Sequence, residues 1–83
     1  MTLHQATIDE ARECAQLFRL GRDIEGALKM VELIDCAMPL LGEMSAVDQA
    51  KGAQVLGEIL ACQERQDWIG LADWLEVEFV ELF

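Results

Sequence analysis

"GRDIEGALKMVELIDCAMPLLGEMS", residues 21–45, holds the punctuation from which the fold is read. Gly21 can take the left-handed backbone conformation that closes a helix, so one helix ends there. Asp23 is placed to cap the next one. Ile24, Ala27, Leu28, Val31, Ile34, Met38 and Leu41 then recur at helical spacing, which predicts the inward face of that second helix. Pro39 either kinks its last turn or ends it, and Gly42 closes the segment. Ser45 with Asp48 opens a third helix.

Working outward, the first helix starts at Thr2 with Gln5 as a capping box, or at Thr7 with Glu10. Leu3, Thr7, Ala11, Cys14, Leu17 and Phe18 share its apolar face. The third helix runs to about Arg65 and carries a stripe of small residues: Ala46, Ala50, Ala53, Gly57 and Ala61. Gly52 and Gly57 inside it each cost roughly 1 kcal/mol relative to alanine. Close approach of another helix at Gly57 would offset that cost, so the third helix is expected at the centre. Asp67 caps a fourth helix that runs to the C-terminus. The connections are short, as between antiparallel neighbours in a bundle. The expected fold is all-α, a small four-helix bundle of two antiparallel αα-hairpins without strands, forming one domain over residues 1–83.

Residues 23–32 ("DIEGALKMVE") and 67–76 ("DWIGLADWLE") echo each other faintly in Asp, a following Gly and a final Glu, which supports two related hairpins. Residues 21–40 also resemble the second helix of a tetratricopeptide repeat, through Gly21, Asp23, the Ala27–Leu28 pair and a terminal proline. The Trp and Tyr of that repeat's first helix are missing here. Such arrays also need about three units or more.

Composition narrows the functions. The 83 residues are 53 % apolar with a single proline, too apolar for a disordered chain and poor in sheet formers. Sixteen acids against six bases give a formal charge of −10, which disfavours nucleic acid and anionic membrane surfaces as partners. Neither an apolar leader-like run nor an apolar run long enough to span a bilayer occurs, which points to the cytoplasm. Cys14, Cys36 and Cys62 are odd in number and widely spaced, reading as small apolar residues rather than a disulfide framework.

The chemical inventory is thin. His4 is the only histidine and Ser45 the only serine, the latter better explained as a cap. No motif surrounds His4, no Glu-x-x-His pair suits a carboxylate-bridged metal centre, and no glycine-rich loop follows a strand. Asp73 and Glu76, three residues apart, read as a solvated face. Neither enzymatic activity nor a cofactor or metal is expected.

Residues 67–83, "DWIGLADWLEVEFVELF", are different: eleven apolar residues, five acids and no cation in seventeen positions. Trp68, Leu71, Ala72, Leu75, Phe79, Leu82 and Phe83 share one helix face and read as core. Trp74 lies about 120° from the centre of that face, in a row with Gly70, Val77 and Glu81. Ile69 and Val80 flank the other edge. Glu78 and Glu81 sit at the helix C-terminus, where the macrodipole disfavours acids. An apolar row rimmed by uncompensated acids suits a protein partner. The expected partner-binding residues are therefore Trp74, Val77, Gly70, Glu81, Glu78 and Asp73. The chain reads as a small acidic adaptor or export-chaperone-like factor, expected as a homodimer, that binds a partner's amphipathic helix. The alternative is a bacterial immunity protein or antitoxin whose acidic surface blocks a basic toxin.

Overall fold

A computed structural model describes residues 3–83, with side chains from His4 onward. The four helices are α1 (Leu3–Arg19), α2 (Asp23–Gly42), α3 (Ala46–Glu64) and α4 (Trp68–Asp73). The last runs without a break into a π-helical segment, Trp74–Phe79. No strand occurs among the described residues. The Thr2–Gln5 capping box lies outside them, and α1 runs through Thr7 and Glu10, so the alternative start is not used.

Both hairpin joints close in the same way. At the end of α1 the Arg22 N–H donates to the Leu17 carbonyl (2.9 Å) and the Gly21 N–H to Phe18 (3.1 Å), with Gly21 at φ +77°. At the end of α3 the Asp67 N–H donates to Cys62 (2.8 Å) and the Gln66 N–H to Gln63 (3.0 Å), with Gln66 at φ 57°. This double bond pattern satisfies the last free carbonyls of each helix. Only the first joint was announced by a glycine.

The caps of α3 and α4 are as the sequence indicates: Ser45 Oγ accepts from the Asp48 N–H at 3.2 Å, and the Asp67 carboxylate from the Gly70 N–H at 3.0 Å. Asp23 is not a cap. Arg22 occupies the cap position without a side-chain bond, and Asp23 and Glu25 lie in the first turn, where the dipole still favours acids. The helix continues past Pro39 to Gly42, so the proline does not end it.

The core is drawn from all four helices. Cys14 and Phe18 of α1, Met30 and Leu33 of α2, Val55, Ile59 and Cys62 of α3, and Leu71, Leu75 and Phe79 of the last segment are its larger members. The first helix packs against α2 on one side and against α4 with its π segment on the other, and α3 packs against α4. Contact between α2 and α3 is sparse. The bundle is therefore closed on three sides and open between α2 and α3.

Two expectations are corrected. The buried face of α2 is Gly26, Met30, Leu33, Ala37, Leu40 and Leu41, not the Ile24–Leu28–Val31–Met38 row. At Gly26 a Cβ would stand 2.9 Å from the Phe18 ring, so the phenyl group fits against bare backbone. That close approach, with Ala37 farther along, turns the small-residue side of α2 toward α1. In α3 the small stripe also faces outward: nothing lies within 4 Å of a Cβ at Gly57. The buried glycine is Gly52, whose Cβ would meet Leu41 at 2.8 Å. Val55 and Ile59 remove more apolar surface from water than alanines would, so their row wins the interior. The inner pair of the bundle is α1 and the last helix, and α3 lies outside it.

Candidate functional site

The last helix carries a row of buried residues at a spacing of four: Leu71, Leu75 and Phe79, with half-buried Phe83 beyond. In an ideal α-helix such a row drifts by about 40° per step. The wider i→i+5 turn over Trp74–Phe79 slows that drift and keeps the row on the core. Nothing in the local sequence announces this segment. At its end Phe83 packs against Phe79 (centroids 5.2 Å apart) and edge-on to His4 (5.8 Å).

Trp68 stacks on Phe18 with ring centroids 5.5 Å apart, but is itself only half-buried, at the edge of the core it was expected to fill. Trp74 is also half-buried and packs against the core. Ile69 is exposed and Val80 half-buried.

Five of the six expected partner-binding residues come together. Gly70, Asp73, Trp74, Val77 and Glu78 line one shallow, open depression of about 410 Å³. Val77, one of the lining residues, is 50 % exposed. Gly70 has its own local reason: a Cβ there would collide with the capping Asp67 carboxylate. Glu81, outside the lining, is exposed farther along the same helix.

The acids of this helix divide into two sets. The Arg19 guanidinium donates to Asp73 Oδ1 at 2.7 Å and to Glu76 at 3.1 and 3.3 Å, tying α1 to the last helix. Asp73 and Glu76 are thus an ion-pair clasp rather than a plain solvated face, and their carboxylates, Glu76 first, raise the Arg19 pKa. Among the described residues no cation pairs with Glu78 or Glu81. On the opposite side of α1, Lys29 of α2 reaches Glu10 at 2.8 Å and Glu13 at 3.0 Å, and its pKa is raised by them in that order.

A second face was missed because the sequence reading turned it inward. On α2, Ile24 is 75 %, Leu28 66 %, Val31 60 % and Met38 52 % exposed. Met38 also borders a groove of about 240 Å³ that Ala53 and Leu56 of α3 line from the other side. The signal was available: α2 is apolar on two sides, and a helix with two apolar rows cannot bury both against one neighbour.

The three cysteines are separate free thiols. No group of three or more His, Cys, Asp or Glu side chains suited to a metal ion occurs among the described residues. Cys14 is fully buried and donates to the Gly26 carbonyl at 3.4 Å. Burial moves its thiol from the ordinary 9.0 up to about 12, against a smaller opposing pull from Lys29. Burial likewise raises Cys62. A folded pKa above the unfolded one means that the protonated thiol favours the fold below pH 9, and that this contribution fades as pH rises through about 12. Ellman's reagent at pH 8 is expected to label Cys36 alone in the folded protein, and all three thiols after unfolding. Stability should fall between pH 9 and 12, less so in Cys14→Ala. Fast labelling of all three native thiols would contradict this packing.

No protein-family model, curated protein or solved structure matches this chain. Among the described residues no helix is long and apolar enough to cross a membrane.

Proposed function

We propose that this chain is a non-enzymatic protein-binding module, a small acidic helical adaptor or export-chaperone-like factor, which holds an amphipathic helix of a partner on α4. The observation that carries this reading is the depression at Gly70, Trp74 and Val77, edged by Glu78 and followed by Glu81. An indole and an isopropyl group offer an apolar anchor point beside Gly70. The unpaired acids favour lysine or arginine on the flank of the incoming helix. Anchors of this kind dominate helix-in-groove recognition, whereas rim charges set orientation and association rate.

The test uses a designed cationic amphipathic peptide with leucines at helical spacing as probe. Trp74→Ala is expected to weaken its binding by about 2 kcal/mol, roughly 30-fold, and, because Trp74 also packs against the core, to lower the unfolding midpoint, though by less than Phe18→Ala does. Val77→Glu should act on the same site and non-additively with it. If Trp74→Ala unfolds the protein as readily as a core truncation, Trp74 is structural and this reading falls. Affinity lost steeply between low and moderate salt, with Trp74→Ala neutral, would instead favour the charge-driven alternative of an immunity protein against a basic toxin.

A further inference from the structure

We propose that the groove between the N-terminal half of α1 and the C-terminal half of α2 binds a small organic cation, with an apolar body between the helices and an ammonium head beside Glu32 and Glu10. The groove has a volume of about 400 Å³ and is less open than the depression on α4. Small-molecule sites span roughly 300–1,000 Å³ and are mostly apolar with a few polar groups that fix orientation. This groove has both properties. It exists because its helix faces carry short side chains, Ala6 and Thr7 on α1 and Cys36 on α2. The same two helices touch closely at their other end, where Phe18 meets Gly26. Thr7 and Leu40 are the buried members of the lining, and the Pro39 ring and the Ala6 methyl group add apolar contact.

Charge selects the head group. Both charged side chains of the lining, Glu10 and Glu32, are carboxylates. Among the described residues no cation pairs with Glu32, which is exposed. Glu10 shares Lys29 with Glu13, at 2.8 and 3.0 Å. Three carboxylates therefore stand against one ammonium group in this part of the surface. An anionic ligand would meet that excess charge, and a neutral one would gain nothing from it. The formal −10 of the chain draws cations toward the surface in the same sense. One exposed ion pair changes affinity by only about 2- to 5-fold. The apolar body thus supplies most of the binding, and the carboxylates supply the choice between ligands.

The groove shares no residue with the α4 depression, so this proposal and the reading of α4 are tested separately. Cys36 lies in its lining as an exposed free thiol, and so reports occupancy directly.

The probe is phenylbutylammonium, compared on the full chain with neutral phenylbutanol and anionic phenylbutyrate, which carry the same body. Alkylation of Cys36 by iodoacetamide, followed by mass spectrometry, is expected to slow about 5-fold or more at saturation, with half-protection at about 0.1–1 mM. Phenylbutanol should require about 2- to 5-fold more for the same protection, and phenylbutyrate more again. Glu32→Gln, a change at an exposed position, should shrink the advantage of the ammonium over the alcohol. Ala6→Phe places a ring in the groove and should abolish protection by either, with helical circular dichroism retained. Amide shifts on titration with the ammonium should centre on Ala6, Cys36 and Leu40, an outcome that needs no variant to fold. Absence of protection at about 10 mM overturns the site. Equal protection by all three probes overturns its preference for cations. Shifts confined to Gly70, Trp74 and Val77 would put the cation on α4 and overturn the proposal as well.

Discussion

Phe18→Ala is expected to cost about 3–5 kcal/mol of stability, enough to leave this protein largely unfolded at 37 °C. Phe18 is 1 % exposed and stands where three helices meet. Its ring stacks on Trp68 of α4 at 5.5 Å and lies against the backbone of α2 at Gly26. Truncation removes the buried ring and leaves a cavity whose walls are helix backbone and an indole held by its own helix. Neither can collapse far, so the cavity term adds to the lost transfer free energy. An 83-residue chain has a small total stability from which to subtract this. Urea unfolding followed by circular dichroism gives the difference directly. A loss below about 1 kcal/mol would mean that the α1–α2–α4 junction repacks freely and that Phe18 does not organise it.

The second large effect is a contrast between two glycines that look alike in sequence. Gly26→Ala should destabilise by about 1–2 kcal/mol although alanine is the better helix former. The added Cβ would stand 2.9–3.0 Å from three atoms of the Phe18 ring, and that ring is fixed by Trp68 behind it. Gly26→Leu should cost more still. Gly57→Ala should do the reverse and stabilise by up to about 1 kcal/mol, because a Cβ there meets nothing within 4 Å. The difference between the two alanine variants is therefore about 1–3 kcal/mol, from the same chemical change in two helix interiors. Phe18→Leu should absorb part of the Gly26→Ala cost, visible as a coupling energy in the double-mutant cycle. Equal effects at both glycines would show that Phe18 yields, and that close packing at Gly26 does not orient α2.

The same two glycines show where the sequence stopped being informative. The stop at Gly21, the cap pairs Ser45–Asp48 and Asp67–Gly70, and the apolar period between them are local signals. Each is set within a few residues, and the four helices and two hairpins follow from them. The face of the last helix was also legible, because Leu71, Ala72, Leu75 and Phe79 form its one strong apolar row. So was the grouping of Gly70, Asp73, Trp74, Val77 and Glu78, which needs only helical geometry.

What no local signal specified was which of two rows faces inward. Helix α2 is apolar along Ile24, Leu28, Val31 and Met38, and again along Met30, Leu33, Ala37 and Leu40. The first row is the more obvious by side-chain size, yet the second is buried. The deciding partner, Phe18, is in another helix and needs a gap that only Gly26 provides. In α3 the outcome had the opposite sense: the small stripe through Gly57 stayed in water while Val55 and Ile59 went inside. The Arg19 clasp on Asp73 and Glu76 joins residues more than fifty positions apart, so these two acids lacked a cation only along the chain, whereas Glu78 and Glu81 have none among the described residues of the fold either. Caps and periods act over one or two turns and fixed the helices. Close approach, shape and charge act between turns distant in sequence, and they fixed which faces meet and which remain open.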